Sequence, residues 1–345
     1  MGREWAEGER VPKHCYVIAE AGLNHNGSME LARQLVDVAA EAGADCVKFQ
    51  KRNVATLAVG PVLDAEDDRF PSLGATYREI RESLEFDLEQ YRELKGLVEA
   101  KDMDFLCTAF DVESVDFLEK LEVDAYKMAS HSNTNINLLR YVAALKKPVV
   151  LSTGACTVEE LDDAVAVFKE ARVELTLLHC VSSYPTPVEQ MNLAMIDWYT
   201  ERYGVPVGYS GHEIGYLPTL SAAARGAVAV ERHFTVDNTL PGFDHKLSLM
   251  PEELKAMIEA IRSVETSIGT VETDVAEFEQ VTRGKYKVSM VSAGPIPRGA
   301  VLTEGMITYK NPGTGIYPKD AGRVLGKRTV VDIPADTLID EAMVG

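Results

Sequence analysis

The segment MELARQLVDVAAEAGADCVKFQ, residues 29–50, decides the fold because it joins two different apolar patterns. Over residues 29–43, apolar side chains recur every three or four positions, which predicts an amphipathic helix. The run DCVKFQ at residues 45–50 has the length of a strand, and its apolar residues Cys46, Val47 and Phe49 fall on both faces, as in parallel sheets covered on both sides. The segment therefore predicts a helix that leads into a buried parallel strand.

The same alternation of strand and helix patterns continues from residue 14 to about residue 270. Eight strand candidates, each followed by a helical pattern, lie at residues 15–20, 45–50, 104–110, 125–130, 148–153, 175–182, 206–210 and 228–235. Eight such units over roughly 250 residues match the size of a closed (β/α)8 TIM barrel. An open doubly wound sheet is the rival, but no glycine-rich dinucleotide turn follows the first strand. We therefore assign residues 1–270 to a barrel domain of the α/β class.

The last part of the chain has a different composition. Residues 285–345 are rich in Gly, Pro and β-branched residues and contain short strand and turn patterns, which cannot form another barrel unit. The polar residues 271–284 separate this stretch from the barrel. The sequence thus predicts a linker at 271–284 and a small β-rich domain at 285–345.

Composition and charge restrict the class of protein. The net charge of −19 argues against a nucleic-acid partner, since phosphate backbones recruit basic surfaces, although an acidic protein can still hold a locally positive pocket. The five cysteines are scattered without a CxxC pair, as in a protein of a reducing compartment. No apolar signal segment opens the chain, and no apolar stretch reaches membrane-spanning length. We predict a cytoplasmic protein with no membrane partner.

Polar residues end or follow every predicted strand. In a (β/α)8 barrel the active site lies at these carboxyl ends. Lys48 and Lys127 stand inside otherwise apolar strands, where an unpaired charge would be costly. Together with hydroxyl groups at neighbouring strand ends, the two lysines predict a pocket for a small ligand with two anionic groups. The hydroxyl residues are Thr108, Ser130, Ser152 and Ser210.

Two histidines end the adjacent strands seven and eight. Because neighbouring strands lie about 5 Å apart, His212 and His233 can share a divalent metal ion and leave positions open for substrate and water. Glu20 is predicted as a third ligand or as a base near the metal. The other candidates, His25, His131 and His179, fit a structural role at least as well as a functional one.

Eight blocks of sequence carry a resemblance to a known family. They are IAEAGLNHNGS (18–28), GADCVKFQKR (43–52), YKMASHSNTNINLL (126–139), VVLSTGACT (149–157), LLHCVSSYPTPVEQMNL (177–193), VGYSGHEIG (207–215), ERHFTVDNTLPGFDHKLSL (231–249) and NPGTGI (311–316). In this order they resemble the sialic acid (N-acetylneuraminate) synthase family, over nearly the whole chain. The resemblance implies a barrel followed by an antifreeze-like (SAF) domain.

The resemblance also implies an activity. Enzymes of this family are transferases that condense phosphoenolpyruvate with an N-acetylated hexosamine, typically N-acetylmannosamine or its 6-phosphate. The products are phosphate and a nine-carbon 2-keto acid. The family further implies a divalent metal cofactor, Mn²⁺ or Mg²⁺, and a domain-swapped homodimer in which the tail of one subunit covers the barrel of the other.

Individual residues receive roles from the same resemblance. His212 and His233 are implied as the metal ligands, and Glu20 as the residue that moves protons at the reacting aldehyde. The residues implied for the phosphoenolpyruvate pocket are Lys48, Thr108, Lys127, Ser130, Ser152, Ser182 and Ser210. Those implied for the acceptor sugar are Glu20, Gln50, Tyr184, Asp244 and, from the tail, Tyr286.

Three positions depart from the family's common pattern. Asn311 stands where the tail often has an arginine that reaches the partner's site, with Lys310 beside it as another source of charge. Gly211 stands where the strand-seven motif often has an aspartate, a variant that also occurs in animal-type members. His131 occupies a position where a small or acidic residue is common, so acceptor specificity is the property that this departure affects.

Other functions fit parts of the pattern. The acceptor can instead be a dideoxy-diacetamido sugar, which would make the enzyme a legionaminate or pseudaminate synthase. A synthase of deoxy-octulosonate or deoxy-heptulosonate phosphates is disfavoured by the C-terminal domain and by the NHNG and GYSGHE blocks. A Schiff-base aldolase would use Lys127 or Lys48. A non-catalytic carbohydrate-binding or ice-binding protein is suggested only by the tail.

Overall fold

The computed structural model describes residues 14–271 and 273–345. The predicted absence of a signal segment concerns residues 1–13, and these lie outside the described residues. The chain divides into two compact units, residues 1–269 and 270–345. The boundary lies beside the start of the predicted linker at residue 271.

Eight parallel strands close into a barrel in the first unit, which confirms the predicted fold. The strands are β1 (Tyr16–Gly22), β2 (Cys46–Lys51), β3 (Asp104–Ala109), β4 (Tyr126–Met128), β5 (Val149–Ser152), β6 (Leu175–Cys180), β7 (Val207–Gly211) and β8 (Ala229–His233). Each strand pairs with the next along the chain, and β1 closes the barrel by pairing with β8. The register puts Glu20 opposite both Lys48 and His233. Three predicted site residues therefore meet at one level of the barrel.

Helices alternate with the strands. They are α1 (Met29–Ala42), α2 (Val54–Leu57), α3 (Gly60–Leu63), α4 (Tyr77–Ser83), α5 (Leu88–Glu99), α6 (Val112–Lys120), α7 (Ile136–Ala144), α8 (Val158–Ala171), α9 (Met195–Tyr203), α10 (Leu217–Ala224) and α11 (Pro251–Ile268). The side chains of Ser28, Asp87 and Thr157 accept a backbone N–H at the first turns of α1, α5 and α8, as N-cap residues do. The long polar insertion after β2 holds three short helices, α2 to α4. In residues 14–271 and 273–345, no helix has the length and apolar character needed to span a membrane.

The barrel interior changes character along the strands. An apolar layer is formed by Ile18, Cys46, Leu106, Ala125, Val150, Leu178 and Ala229. Because successive side chains of a strand point to opposite faces, the residue two positions later points into the barrel again. Those residues are Glu20, Lys48, Thr108, Lys127, Ser152, Cys180 and Glu231, and all of them are buried. The barrel interior thus has a mostly polar layer at the carboxyl ends of the strands, directly next to the apolar layer.

The second unit has a small apolar core of its own, which includes Met290, Leu302 and Val324. Its helix α12 (Gln280–Tyr286) begins inside the predicted linker, and the carbonyl of Gly284 in this helix accepts a hydrogen bond from the amide of Gly313. Strands β9 (Ser289–Ser292) and β10 (Ile307–Lys310) form a two-stranded antiparallel sheet. Isolated antiparallel bridges extend this arrangement, since the frequent glycines and prolines interrupt longer ladders.

Candidate active site

A cavity of about 450 Å³ opens at the carboxyl ends of the barrel strands. Every predicted site residue of the first unit lines it: Glu20, Lys48, Gln50, Thr108, Lys127, Ser130, Ser152, Ser182, Tyr184, Ser210, His212, His233 and Asp244. Tyr286 belongs to the second unit, where it ends α12 with its side chain largely exposed, and its contact with the sugar stays a prediction. The lining also includes residues that the sequence patterns did not indicate, chiefly Arg52, Arg81, Phe110, Glu231 and Phe243.

Lys48 lies at the floor of the cavity. Its Nζ is 2.8 Å from Oε2 of Glu20 and 3.6 Å from Oε1 of Glu231, and it donates a hydrogen bond of 2.9 Å to Thr108. Burial by itself lowers the pKa of Lys48, but the two carboxylates raise the pKa above its ordinary value. Lys48 is therefore a fixed cation, and paired carboxylates offset the cost of burying it.

Lys127 reaches the same floor from β4. Its Nζ donates a hydrogen bond of 2.6 Å to Oγ of Ser152 and lies 3.8 Å from Oε2 of Glu231. Burial lowers the pKa of Lys127, and Glu231 offsets only part of this effect while Lys48 adds a like charge. Nearby carboxylates thus neutralise the charge of Lys127 less fully than that of Lys48, and a bound anion would stabilise the charged form of Lys127.

Glu231, which was not among the predicted site residues, lies between the two lysines. Burial would raise the pKa of its carboxyl group, but Lys127 and Lys48 hold that pKa at about 2, so the carboxylate stays ionised. A signal for Glu231 exists in the sequence. It precedes His233 by two residues, so both side chains face the barrel interior. The intervening Arg232 points the other way and pairs with Glu213 at 2.7 Å.

The cavity has a locally positive balance within an acidic protein. Its lining includes four cationic side chains, Lys48, Lys127, Arg52 and Arg81, and three carboxylates, Glu20, Glu231 and Asp244. The chain as a whole has a net charge of −19. Because nearby charges dominate the potential in a cleft, this cavity suits an anionic ligand despite the overall charge.

A glycine allows two hydroxyl residues to converge on the cavity. The amide of Gly154, which follows β5, donates a hydrogen bond of 3.0 Å to Oγ of Ser130. A Cβ atom on Gly154 would lie 2.3 Å from Oγ of Ser182 and 2.8 Å from Oγ of Ser130. Only glycine fits between these hydroxyls, so the backbone itself can approach a ligand there.

His212 and His233 lie close together at the ends of β7 and β8, with ring centroids 5.6 Å apart. Nδ1 of His212 donates a hydrogen bond of 3.1 Å to the carbonyl of Val181, which leaves Nε2 as an electron-pair donor. Burial and the neighbouring His233 lower the pKa of His212 to about 4, so this imidazole is neutral near pH 7. Nδ1 of His233 is buried, has no hydrogen-bond partner in the described part of the chain and lies 3.9 Å from Oδ2 of Asp244.

These observations fit a divalent metal ion held by two imidazoles. Among residues 14–271 and 273–345, no group of three or more His, Cys, Asp or Glu side chains is arranged to hold a metal ion. Glu20, predicted as a third ligand or a base, pairs with Lys48 and accepts a hydrogen bond of 2.5 Å from Gln50. The remaining positions around a metal would fall to substrate and water, as in open catalytic sites.

Gly22 shows how tightly side chains pack around the end of β1. Its φ of +53° lies in the left-handed region that favours glycine. A Cβ atom there would lie 3.2 Å from Oε1 of Glu20, 3.3 Å from Nε2 of Gln50 and 3.3 Å from Cε1 of His233. Three predicted site residues therefore converge on the backbone at the end of β1.

Aromatic contacts form the outer part of the cavity. The ring of Tyr184 lies 4.1 Å from that of His212, and the tyrosine side chain is 55% exposed. A second group of contacts centres on Phe110, whose ring stacks on that of His131 with a centroid distance of 4.8 Å and lies 3.9 Å from the guanidinium of Arg52. His131 thus lines the cavity as part of an aromatic stack.

Gly211 has a physical explanation in this chain. A Cβ atom on Gly211 would lie 2.3 Å from Oε2 of Glu213. That carboxylate is buried and accepts hydrogen bonds from Tyr209, Thr219 and Arg232. A larger residue at position 211 would displace this network, which explains the glycine at this position.

Two of the weaker histidine candidates have structural surroundings. His25 is buried, its ring lies 4.3 Å from that of Phe86, and its Nδ1 accepts a hydrogen bond of 3.1 Å from the amide of Gly27. His179 donates a hydrogen bond of 2.6 Å from Nε2 to the carbonyl of Met191. Neither residue is part of the cavity lining.

Comparison with known proteins identifies relatives of both units. Residues 35–273 match the NeuB family and residues 287–345 match the SAF domain. An N,N'-diacetyllegionaminic acid synthase of Legionella pneumophila is 36% identical over 332 residues, which cover 94% of this chain and 93% of that protein. The human N-acetylneuraminate-9-phosphate synthase is 34% identical over 342 residues, which cover 99% of this chain and 94% of that protein.

A solved structure supports the same relationship. The N-acetylneuraminic acid (sialic acid) synthetase of Leptospira borgpetersenii, crystallised with citrate, is 33% identical and superposes with a TM-score of 0.69 over 79% of this chain and 91% of that chain. These matches confirm the resemblance seen in the eight sequence blocks, the TIM barrel with a C-terminal SAF domain, and the enzymatic character of the protein. The chain belongs to the NeuB family.

Proposed function

We propose that this chain condenses phosphoenolpyruvate with an N-acetylated hexosamine, releasing phosphate and forming a nine-carbon 2-keto acid of the sialic acid type. The observation that carries the proposal is the pair of buried lysines, Lys48 and Lys127, held around Glu231 beside the two histidines. Phosphoenolpyruvate has a phosphate and a carboxylate, and two fixed cations suit these two anionic ends. The names of the relatives, which are sialic and legionaminic acid synthases, support the same class of reaction.

Carbon–carbon bond formation follows from how the lysines hold the enol. The methylene carbon of phosphoenolpyruvate attacks the aldehyde carbon of the open-chain sugar. Lys48 and Lys127 bind the two anionic groups and so determine which face of the enol meets the aldehyde. Thr108 and Ser152 each accept a hydrogen bond from one lysine, which aims the ammonium groups. Water then adds at the carbon that bears the phosphate, and loss of phosphate leaves the 2-keto acid.

The aldehyde belongs on the side of the histidines. A divalent metal held by His212 and His233, Mn²⁺ or Mg²⁺, supplies Lewis-acid polarisation of the aldehyde oxygen when it is bound. Glu20, opposite His233 in the strand register, takes the proton that the attacking water loses and passes it to the aldehyde oxygen, which becomes a hydroxyl. Lys48 and Gln50 hold the Glu20 carboxylate in place.

The acceptor sugar occupies the outer part of the cavity in this proposal, near Gln50, Tyr184 and Asp244. The candidate acceptors are N-acetylmannosamine, its 6-phosphate, and dideoxy-diacetamido sugars of the legionaminate or pseudaminate type. The relatives include synthases named for sialic, legionaminic and pseudaminic acids.

A product assay with each acceptor tests the proposal. The purified chain is incubated with phosphoenolpyruvate and Mn²⁺, and phosphate release and the mass of the keto acid are measured. We expect phosphate release only when an acceptor is present. Absence of turnover with every acceptor would contradict the proposal, as would a borohydride-trapped pyruvate adduct on Lys127 or Lys48, which an aldolase would form.

A further inference from the structure

Arg52, which follows β2 directly, carries a guanidinium that the protein leaves partly unsatisfied. The residue is 9% exposed. One terminal nitrogen donates to Oε1 of Gln50, but Nη1 is buried without a hydrogen-bond partner in residues 14–271 and 273–345. The nearby carboxylate of Glu85 forms an ion pair with Lys51 at 2.8 Å. From Arg52 it accepts a hydrogen bond of the backbone amide and not of the guanidinium. A buried donor without a partner indicates a place where a ligand completes the hydrogen bonds.

Arg81, on α4, lines the same cavity and also has a guanidinium donor without a partner. Its Nε is buried without a hydrogen-bond partner among the described residues. Burial and the positive charge of Arg81 lower the pKa of Arg52 to about 10, and Glu85 and Asp244 offset this effect only in part. Two cations thus approach each other with incomplete neutralisation, which favours binding of an anion between them.

Aromatic rings orient both guanidinium groups. The group of Arg52 lies 3.9 Å from the ring centroid of Phe110, and that of Arg81 lies 4.1 Å from the ring centroid of Phe243. Stacking on an aromatic face restricts the plane of a guanidinium and leaves the N–H groups at its edge free for a ligand. Planar guanidinium forks match the oxygens of a phosphate group.

The two arginines are separate from the lysines at the floor. Lys48 and Lys127 are paired with Glu20 and Glu231, and they are sufficient for the two anionic groups of phosphoenolpyruvate. Arg52 lies four residues beyond Lys48, past the end of β2, so it stands further toward the open end of the cavity. A third anionic group on the ligands would therefore meet the arginines.

We propose that Arg52 and Arg81 bind a phosphate ester on the acceptor, so that the acceptor is a sugar phosphate such as N-acetylmannosamine 6-phosphate. This inference rests on the proposed function, because it names the chemical class of the second substrate. Carbon 6 of an open-chain hexosamine lies at the opposite end from its aldehyde. With the aldehyde beside the histidines, the phosphate extends toward the cavity mouth. A sugar without a phosphate would leave the charge of Arg52 only partly offset by Glu85 and Asp244, and would leave a buried N–H donor of each arginine without a partner.

The test compares N-acetylmannosamine with its 6-phosphate in wild type, Arg52→Gln and Arg81→Gln. The formation of the keto acid is followed by mass spectrometry, because released phosphate alone would not distinguish its source. We expect wild type to prefer the phosphate ester at least tenfold in kcat/KM. Each variant should reduce the ratio of the two kcat/KM values by about 10- to 100-fold, mainly through the KM of the phosphate ester, as expected for loss of a charge-assisted hydrogen bond.

Arg78→Gln is the matched control, because Arg78 lies on the same helix but pairs with Asp64 at 2.6 Å and does not line the cavity. It should leave the ratio unchanged. Equal losses on both acceptors in the Arg52 and Arg81 variants would overturn the inference, since they indicate a merely structural role. The wild-type preference needs no variant and stays informative if a variant fails to fold.

The outcomes also separate this inference from the proposed function. Turnover of phosphate-free N-acetylmannosamine or of a diacetamido sugar, with no preference for the phosphate ester, would overturn the inference and leave the proposed function standing. Absence of turnover with every acceptor would overturn both.

Discussion

Oε2 of Glu20 lies 2.8 Å from Nζ of Lys48, and both side chains are almost completely buried. The two residues are opposite each other in the register of β1 and β2. Removing one member of such a pair leaves a charge that has lost its partner without regaining water. The pair therefore connects the stability of the barrel to the electrostatics of the candidate site.

Lys48→Met should lower the free energy of unfolding by about 3 kcal/mol, because it leaves the buried Glu20 carboxylate without its paired cation. Adding Glu20→Gln should recover part of this loss, since both charges are then absent. Urea unfolding of wild type, the two single variants and the double variant measures the coupling. Strictly additive losses would show that the two side chains do not stabilise each other.

Glu231→Gln removes a negative charge between Lys48 and Lys127 while keeping a side chain of the same shape beside Ser210. The positive potential at the floor rises, so phosphoenolpyruvate should bind about tenfold more tightly, while turnover falls. Titration calorimetry without acceptor measures this affinity. Glu89→Gln is the control, since Glu89 is exposed and pairs with Arg92 away from the cavity. Unchanged or weaker binding in Glu231→Gln would contradict its role as counter-charge.

His233→Ala should abolish metal-dependent turnover and leave the fold intact, since the imidazole lies at the cavity surface and not in the apolar core. Titration with Mn²⁺ should show a loss of binding in this variant. His14→Ala should keep Mn²⁺ binding, because His14 precedes β1 and pairs with Asp45. Full activity of His233→Ala in the presence of a chelator would refute the metal role.

His25 predicts a pH dependence of stability. Burial, with Arg52 and His245 as further causes, lowers its pKa to about 3. Below the ordinary histidine pKa, the unfolded chain gains a proton at this site that the folded chain does not, so stability is lost as the pH falls from about 6.5 toward 3. The contribution is about 1.4 kcal/mol per pH unit once the unfolded imidazole is charged.

A His25→Phe variant isolates this contribution. Its ring still packs against Phe49 and Phe86, but it has no titratable group. Urea unfolding of both proteins between pH 7 and 4.5 gives the difference in slope. Parallel pH profiles for wild type and variant would contradict the assignment.

The predicted domain-swapped homodimer can be tested by mixing two inactive variants. Lys127→Met impairs the barrel, and Tyr286→Ala impairs the tail that is expected to cover a partner's barrel. Phe278 and Val281, near the start of the second unit, are 84% and 79% exposed, as expected of residues that a partner subunit covers. Refolding the variants together should restore about a quarter of wild-type activity, because half of random dimers are mixed and each has one complete site. No recovery would contradict the exchange.

Asn311 offers a second test of the predicted contact between the tail and a partner's barrel. Lys310, which the sequence offers as a substitute for the family's tail arginine, pairs with Asp336 within the second unit. The variant Asn311→Arg restores the arginine that is common in the family. Its KM for the acceptor should be lower than that of wild type if the tail reaches a partner's site. An unchanged KM would argue that the arginine is not required in this chain.

Much of the barrel was predictable because its signals are local. Apolar spacing identifies α1 and the strand that follows it, and parallel strands bring their carboxyl ends to one edge, so Lys48, Lys127, His212 and His233 were expected near one another. Glu231 was not predicted, although its carboxylate points inward from two residues before the end of β8. Its role depends on Lys48 and Lys127, which come from β2 and β4 and are distant from it in the chain.

The amino-acid sequence by itself determined the order of strands and helices, the small C-terminal domain and the residue types at the strand ends, because these depend on spacing along the chain. Only the tertiary structure decided which charges are neighbours. Strand register pairs Glu20 with Lys48, and the helices inserted after β2 bring Arg81 to the cavity that Arg52 lines. Such contacts join residues far apart in the chain, so their geometry depends on closure of the barrel and not on any local pattern.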